Sequence, residues 1–238
     1  MTQCRYSAIQ TLGTVDGPGV RFVLFLQGCP LHCGYCHNPE TRDMTGGKTA
    51  TVGEIMQKVL RCRNYFGKDG GITVSGGEPL VQAEFVTELF TECKKQGINT
   101  CLDTSGCILN DSVIRLLEVT DLCMLDIKMT NEEDYKKHIG CSMATPLAFL
   151  KKLCEMKVET WIRQVIVCGV NDDEINIGRL NEIANAHDNV TLAELLPFRK
   201  LCSTKYDEMG IPFPFDCYEQ TPESVIETLK SKVDKFRY

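Results

Sequence analysis

Three cysteines in one short loop constrain this chain more than any other feature. Cys29, Cys33 and Cys36 have CxxxCxxC spacing within residues 28–38, which we call the cysteine loop, and the loop follows the apolar run 20–26. Cysteine thiolates are the protein ligands of iron–sulfur clusters, and a cubane offers four iron corners. No fourth cysteine lies nearby in the sequence. A cluster bound here would therefore keep one iron open for a ligand that is not protein, and an open metal position is typical of a working site.

The spacing leaves two other interpretations open. A zinc ion could take the three thiolates with a histidine as its fourth ligand, although zinc fingers usually show a second ligand pair further along the chain. The histidines form no such pair: His32, His37, His138 and His187. A thiol–disulfide redox site needs only CxxC and gives no reason for the third cysteine. The cysteine loop favours a cluster without excluding these alternatives.

Length and composition limit the class of protein. With 238 residues, of which 43% are hydrophobic, the chain can form one domain of α/β-barrel size or two small ones. A net charge of −6 without a basic run argues against a nucleic-acid partner. No apolar stretch is long enough to span a bilayer, and the N-terminus has no apolar signal core. We therefore expect a cytoplasmic protein whose fourteen cysteines mostly pack as thiols in a reducing compartment.

Strand and helix patterns alternate along most of the chain. The patterns predict six strands, at residues 20–26, 71–75, 98–102, 121–125, 158–167 and 190–196. Helical periodicity lies between them, and Thr51 with Glu54 predicts a capping box at the first helix. Such alternation implies right-handed crossovers and a parallel sheet. Six strands are too few for a closed eight-stranded barrel, so we predict an α/β fold with a partial, open (β/α)6 barrel like part of a TIM barrel.

A single domain over residues 1–238 is expected. Residues 1–19 form a short N-terminal extension with a strand at 6–12, and Asp16 lies in its turn-rich loop, where aspartate is usually a turn residue. Residues 200–238 form a C-terminal cap. Its first part, 200–220, is predicted to be irregular and aromatic, and its last helix is predicted to begin with Thr221 as the cap and Pro222 after it.

Polar motifs follow the predicted strands at their C-terminal ends. They are Gly76-Gly77-Glu78, Asp103-Thr104, Asp126 with Lys128, and Pro197-Phe198-Arg199. In parallel α/β barrels this rim carries the site, although a double glycine alone is usually a turn. An amino acid that chelates the open iron would suit the rim. Lys128 can pair with its carboxylate, Glu78 and the backbone of Gly76 and Gly77 can accept from its ammonium group, and Asp103 with Asp126 could hold a cation.

With these motifs the chain resembles the radical S-adenosylmethionine (SAM) superfamily and, within it, the activating proteins of glycyl radical enzymes. CxxxCxxC alone is shared with the whole superfamily. The Asp-Gly-Pro-Gly segment that begins at Asp16 and the Trp-Ile-Arg strand that begins at Trp161 are much more specific. The resemblance extends nearly from end to end, over residues 14–22, 27–29, 35–38, 75–78, 101–104, 124–128, 161–163 and 195–197.

The resemblance implies roles for individual residues. Cys29, Cys33 and Cys36 would ligate a [4Fe–4S] cluster, and SAM would chelate its fourth iron. The SAM site would be lined by Tyr35, Cys36, His37, Gly76, Gly77, Glu78, Asp126, Ile127, Lys128, Arg163 and Arg199. A monovalent cation, Na⁺ or K⁺, would be held by Asp103, Thr104, Met124 and Asp126. Asp16 would contact the glycine loop of a partner protein.

The resemblance also implies the reaction and its partners. An electron from the reduced cluster would cleave SAM into methionine and a 5′-deoxyadenosyl radical, which would remove an α-hydrogen from one backbone glycine of the partner. The implied protein substrate is a glycyl radical enzyme, pyruvate formate-lyase, and the implied electron donor is reduced flavodoxin or ferredoxin. We expect the activating protein to be a monomer that works under anaerobic conditions.

Three features of the sequence bear on the subclass. Arg199 stands where the family usually has a histidine that contacts the nucleoside, and Cys168 stands where it often has a proline. The ferredoxin-like, cysteine-rich insert of many sister proteins is absent before Thr51. Its absence favours pyruvate formate-lyase over other lyase partners. An activator of another glycyl radical enzyme, such as anaerobic ribonucleotide reductase, and a non-enzymatic zinc or thiol module remain the alternatives.

Overall fold

Strands and helices alternate along residues 2–235, the part of the chain that the computed structural model describes. The strands are β1 (Gln3–Gly13), β2 (Arg21–Leu26), β3 (Lys48–Thr51), β4 (Gly71–Gly76), β5 (Asn99–Thr104), β6 (Leu122–Asp126), β7 (Glu159–Ile166) and β8 (Val190–Pro197). The helices are α1 (Val52–Cys62), α2 (Ala83–Lys95), α3 (Asp111–Leu117), α4 (Glu132–Asp134), α5 (Ala144–Glu155), α6 (Glu174–Asn185), α7 (Ser203–Met209) and α8 (Glu223–Lys230). Met1 and residues 236–238, which belong to the predicted extension and cap, lie outside the described residues.

Contacts between Cα atoms divide the chain into two compact units. The first contains Met1–Pro30 and Thr41–Met124, and the second contains Leu31–Glu40 and Leu125–Tyr238. The expectation of a single domain over residues 1–238 stays a prediction.

Parallel strands form the centre of the first unit. The strand order is β3-β1-β2-β4-β5, with β1 antiparallel to both of its neighbours and β2, β4 and β5 parallel. In this register Val23 lies opposite Thr73, and Thr73 lies opposite Cys101. β2 is buried along nearly all of its length. Burial on both faces explains why its sequence is a continuous apolar run rather than an alternating one.

The second unit contains the parallel pair β7 and β8, with Trp161 opposite Leu192. The helices α5 and α6 bury apolar side chains, including Phe149, Leu150 and Leu180. All six strands that we predicted for the barrel are present as β2 and β4–β8, and the α/β class is confirmed. None of the helices within residues 2–235 combines the length and the hydropathy that a bilayer crossing requires.

Local sequence signals were right at one helix start and wrong at another. At α1, the Thr51 side chain accepts from the Glu54 amide and the Glu54 carboxylate accepts from the Thr51 amide, so the capping box is confirmed. At α8 the predicted cap is wrong. Pro222 occupies the N-cap position, and the buried Thr221 hydroxyl donates instead to Ile166 O at 2.7 Å.

Two further elements were not predicted. The short strand β3 pairs antiparallel with β1, and α7 lies inside the segment 200–220 that we expected to be irregular.

Arg21, the first residue of β2, is fully buried and connects three parallel strands near their N-terminal ends. Its Nε donates to Thr73 Oγ1 at 2.7 Å, and its Nη2 donates to Ile72 O at 2.7 Å and Asn99 Oδ1 at 2.9 Å. Pro18 O accepts from Nη1 at 3.1 Å. Burial lowers the pKa of Arg21 from its ordinary value. These acceptors therefore replace the water that the guanidinium has lost.

Replacing Arg21 with alanine should lower the free energy of unfolding by about 3 kcal/mol, because several buried acceptors lose their donor at once. Urea unfolding followed by circular dichroism measures this change. The matched control is Arg61→Ala on the exposed face of α1, which should change the unfolding free energy by less than about 0.5 kcal/mol. Equal stability of the two variants would contradict the role of Arg21.

Candidate active site

The predicted site residues follow the C-terminal ends of strands. Gly76 is the last residue of β4, Thr104 of β5 and Asp126 of β6, and the cysteine loop begins two residues after β2. Pro197 likewise ends β8, and Phe198 and Arg199 follow it directly. The expectation that the polar motifs lie at strand ends is confirmed.

The cysteine loop has little regular secondary structure and is held by backbone hydrogen bonds. Within the second unit, the Gly34 amide donates to His138 O at 2.8 Å, and the Cys36 amide donates to Cys33 O at 3.2 Å in a tight turn. Cys33 is buried, whereas Cys29 and Cys36 are partly exposed. The turn between the last two cysteines presents both thiols from a fixed stretch of backbone.

The donor set of the loop fits an iron–sulfur cluster. All fourteen cysteines are thiols rather than halves of disulfides. Among residues 2–235, no three His, Cys, Asp or Glu side chains gather as ligands of a single metal ion. A cubane takes its thiolates at separate iron corners. Three thiols at this spacing suit that arrangement.

In the first unit, the double glycine lies against the backbone that leads into the cysteine loop. The Gly77 amide donates to Leu26 O at 2.9 Å and the Glu78 amide donates to Gly28 O at 2.8 Å. A Cβ atom on Gly77 would lie 2.4 Å from Gly28 O, and Gly76 has a φ of +110° with a similarly close approach to Leu26. Both glycines are thus required by backbone proximity, beyond an ordinary turn.

The Glu78 carboxylate is buried and fully engaged with the segment that follows β5. It accepts from Thr104 Oγ1 at 2.5 Å, from the Ser105 amide at 3.0 Å and from the Ser105 hydroxyl. It also accepts from the Leu80 amide at 3.1 Å, as the N-cap of a short 3₁₀ turn. The carboxylate therefore orders two stretches of the rim, and its contact with an ammonium group stays a prediction.

The first unit contains three of the four predicted cation ligands, Asp103, Thr104 and Met124. Asp103 accepts from Ser75 Oγ at 2.7 Å, which links the ends of β5 and β4. The Thr104 hydroxyl is engaged with Glu78, and Met124 is buried in β6. A monovalent-cation site at Asp103, Thr104, Met124 and Asp126 stays a prediction.

In the second unit, Asp126 lies between two cationic side chains. Its Oδ2 accepts from Lys128 Nζ at 2.8 Å, and its Oδ1 accepts from Arg163 Nη2 at 3.2 Å. Burial raises the pKa of Asp126, but the two cations outweigh it and hold that pKa below its usual value. Burial alone would lower the pKa of Lys128, and the neighbouring carboxylate raises it instead. Two cationic side chains therefore meet the Asp126 carboxylate at this end of β6.

The aromatic and basic residues of the cysteine loop contact the same unit. Tyr35 is buried, its hydroxyl donates to Lys128 O at 3.3 Å, and burial raises the pKa of its phenol. His37 Nε2 lies 2.9 Å from Arg199 O. The Arg199 guanidinium donates to Thr221 O and to the Glu223 carboxylate. Its predicted contact with a nucleoside stays a prediction.

Asp16 belongs to a loop that the sheet of the first unit holds in place. Its backbone carbonyl accepts from Thr73 Oγ1 at 2.6 Å, and the neighbouring Gly19 has a φ of +68° against the backbone of Gly70. The contact of Asp16 with a partner's glycine loop stays a prediction.

Sequence reasoning missed the residues that cover the cysteine loop. Tyr206 and Lys205 of α7 donate hydrogen bonds to the loop, and Phe215 packs on Gly34. The aromatic composition of residues 200–220 was the available signal, but it did not say what these rings contact.

The chain matches known proteins over most of its length. The family model of the radical SAM superfamily matches residues 23–177. The chain belongs to this superfamily.

Its relatives narrow the family further. This radical SAM protein is 43% identical over 235 residues to pyruvate formate-lyase 1-activating enzyme of Escherichia coli (strain K12), covering 98% of this chain and 96% of the relative. It is 40% identical over 228 residues to pyruvate formate-lyase-activating enzyme of Staphylococcus epidermidis (strain ATCC 12228 / FDA PCI 1200), covering 92% and 91%. The radical SAM protein therefore belongs to the family of pyruvate formate-lyase-activating enzymes and is an oxidoreductase.

Solved radical SAM structures share its fold. A domain of pyruvate-formate lyase-activating enzyme from Bacteroides vulgatus ATCC 8482 has a TM-score of 0.57 at 23% identity, covering 69% of this chain and 92% of that chain. A radical SAM methyltransferase from Sphaerobacter thermophilus has a TM-score of 0.61 at 14% identity, covering 90% and 63%. The prediction of a partial, open barrel is confirmed. As a member of its family, this radical SAM protein uses a [4Fe–4S] cluster and SAM.

Gly77→Ala tests the close approach of the rim to the cysteine loop. The added methyl group meets Gly28 O, which is backbone and cannot move aside cheaply, so the unfolding free energy of this radical SAM protein should fall by about 1–3 kcal/mol. The matched control is Gly53→Ala in α1, where a Cβ meets nothing within 4 Å and stability should rise by up to about 1 kcal/mol. Thermal unfolding of both variants measures the difference, and a stabilised Gly77→Ala variant would contradict the packing.

Proposed function

We propose that this protein activates pyruvate formate-lyase under anaerobic conditions by generating a glycyl radical on one backbone glycine of that enzyme. The proposal is carried by the three thiols of the cysteine loop in a chain that matches activating enzymes over 98% of its length. When bound, the cluster and SAM supply the one-electron chemistry that forms the 5′-deoxyadenosyl radical, which abstracts the glycine hydrogen.

Cys29, Cys33 and Cys36 hold the cluster in this proposal, and the fourth iron is left for SAM. The backbone hydrogen bonds of Gly34 and Cys36 support it, because they fix the stretch that carries two of the thiols. Ordered backbone at these positions would present two of the thiols to the cluster from fixed points.

The second unit binds the methionine carboxylate of SAM in this proposal. Lys128 and Arg163 both pair with the Asp126 carboxylate, which places two cationic donors close together in a largely buried position. Arginine and lysine donors to a carboxylate form strong charge-assisted hydrogen bonds where water is scarce. Ile127, whose amide donates to Arg163 O at 3.0 Å, fixes this part of the backbone.

The remaining predicted contacts are assigned by chemistry. Backbone groups of Gly76 and Gly77, with Glu78, accept from the ammonium group, and Tyr35, His37 and Arg199 line the nucleoside. Na⁺ or K⁺ takes oxygen and sulfur donors from Asp103, Thr104, Met124 and Asp126. Tyr35 in the second unit and Glu78 in the first unit are each buried, and a reactive radical requires surroundings that exclude water.

Asp16 contacts the glycine-bearing loop of the protein substrate in this proposal, and the electron comes from reduced flavodoxin or ferredoxin. The chain acts as a monomer in the cytoplasm. Its fourteen thiols support a reducing compartment.

An electron paramagnetic resonance experiment tests the activity. The anaerobically purified, reduced protein is incubated with SAM and pyruvate formate-lyase, and a glycyl radical signal is expected on the lyase. Omission of SAM is the control and should abolish the signal. A signal with another glycyl radical enzyme but none with pyruvate formate-lyase would assign a different partner.

Cys33→Ala should lose the cluster, because a cubane with two protein thiolates is poorly held. Iron and sulfide analysis after anaerobic reconstitution measures the loss, with the radical signal as a second readout. Cys154→Ala, in α5 outside the cysteine loop, should keep full iron content. An iron-loaded, active Cys33→Ala variant would contradict the ligand assignment, and a colourless wild-type protein loaded with zinc would overturn the proposed function.

A further inference from the structure

The segment 200–218 lies across the cysteine loop and touches it through several independent contacts within the second unit. Tyr206 Oη donates to Cys36 O at 3.1 Å. Lys205 Nζ donates to Asn38 Oδ1 at 2.9 Å and pairs with the Glu40 carboxylate. Consecutive residues of α7 thus bind both the last cysteine of the motif and the residues that follow it.

Phe215 covers the stretch of the same loop that lies between Cys33 and Cys36. A Cβ on Gly34 would lie 2.2 Å from the Phe215 ring, so the ring occupies the space that any side chain would take. The ring also meets Tyr35 edge to face, with centroids 5.5 Å apart, and His138 at 5.3 Å. Only a glycine at position 34 leaves room for the Phe215 ring.

Tyr206 itself is held rigidly. Its side chain is 1% exposed, and its ring packs on Phe213 with centroids 4.7 Å apart. The Tyr206 amide donates to Cys202 O at the start of α7. A hydroxyl on a fixed, buried ring is a directional donor, so its bond to Cys36 O restrains the peptide that carries the thiol.

We propose that Tyr206 is a positioning residue for the iron–sulfur site: its hydroxyl fixes the Cys36 peptide, and the segment 200–218 keeps water from this side of the loop. The inference rests on the proposed function, because it assigns the Cys36 thiol to the cluster. Hydrogen bonding and solvent access around a cluster set its reduction potential. Water that reaches the site stabilises the more negative, reduced form, and a loosened loop therefore shifts the potential in the positive direction.

Tyr206→Phe removes only the hydroxyl and is the decisive variant. In the anaerobically purified, cluster-loaded protein, amide hydrogen exchange of residues 32–38 should become about fivefold faster, the factor that corresponds to one ordinary hydrogen bond. A redox titration followed by electron paramagnetic resonance should give a more positive midpoint potential. Tyr65→Phe, with a side chain on the exposed surface of the first unit, is the matched control and should change neither value.

Lys205→Met separates this specific role from general loosening. It removes the ties to Asn38 and Glu40 but leaves the bond to Cys36, so exchange should rise at residues 38–40 with a smaller shift of potential. Equal potential shifts in both variants, or unchanged exchange and potential in Tyr206→Phe, would overturn the inference. A wild-type protein that binds no iron would overturn the proposed function instead. A comparison of amide exchange between that iron-free wild type and iron-free Tyr206→Phe would still show whether Tyr206 restrains the loop.

Discussion

Hydrogen bonds between the segments that follow β4 and β2 are the contact on which the rim of the first unit depends. Gly77 and Glu78 donate to Leu26 O and Gly28 O, and two glycines are needed because no Cβ fits at this separation. The Glu78 carboxylate extends the same contact to Thr104 and Ser105 after β5. A single motif thus orders three neighbouring strand ends. These hydrogen bonds also fix the position of Gly28, the first residue of the cysteine loop.

In the second unit, ion pairs rather than backbone hydrogen bonds order the end of a strand, since Asp126 at the end of β6 pairs with Lys128 and Arg163. Lys128 and Arg163 hold the pKa of Asp126 below its ordinary value, and the carboxylate in turn raises the pKa of Lys128 against the effect of burial. Two cationic donors, Lys128 and Arg163, thus lie side by side in a largely buried position. Such donors bind a carboxylate strongly where water is scarce, and they are the physical feature that favours an anionic ligand such as an amino acid carboxylate.

Periodicity and strand-end motifs made most of the fold predictable, because both signals are local. β3 escaped prediction since it has four residues and gains its stability by pairing with β1. α7 escaped it because Tyr206 is its sole buried residue and no apolar stripe marks the helix. Thr221 looked like a helix cap, but its hydroxyl bonds Ile166 O, a partner 55 residues away that sequence cannot indicate. The ligand cysteines could be proposed from spacing, whereas the residues that restrain them depend on tertiary contacts.

Arg199, which stands where related proteins usually have a histidine, makes different contacts through its backbone and its side chain. Its carbonyl lies against His37 and keeps that contact whatever the side chain, so the cysteine loop does not depend on having arginine there. The guanidinium instead bonds Thr221 O and Glu223 at the start of α8. A histidine side chain is too short to make both of these bonds at once. Its two ring nitrogens also point away from each other, whereas a guanidinium offers several N–H donors on one side. Arginine at this position therefore ties the C-terminal helix to the end of β8, and any contact with a nucleoside must compete with those two acceptors.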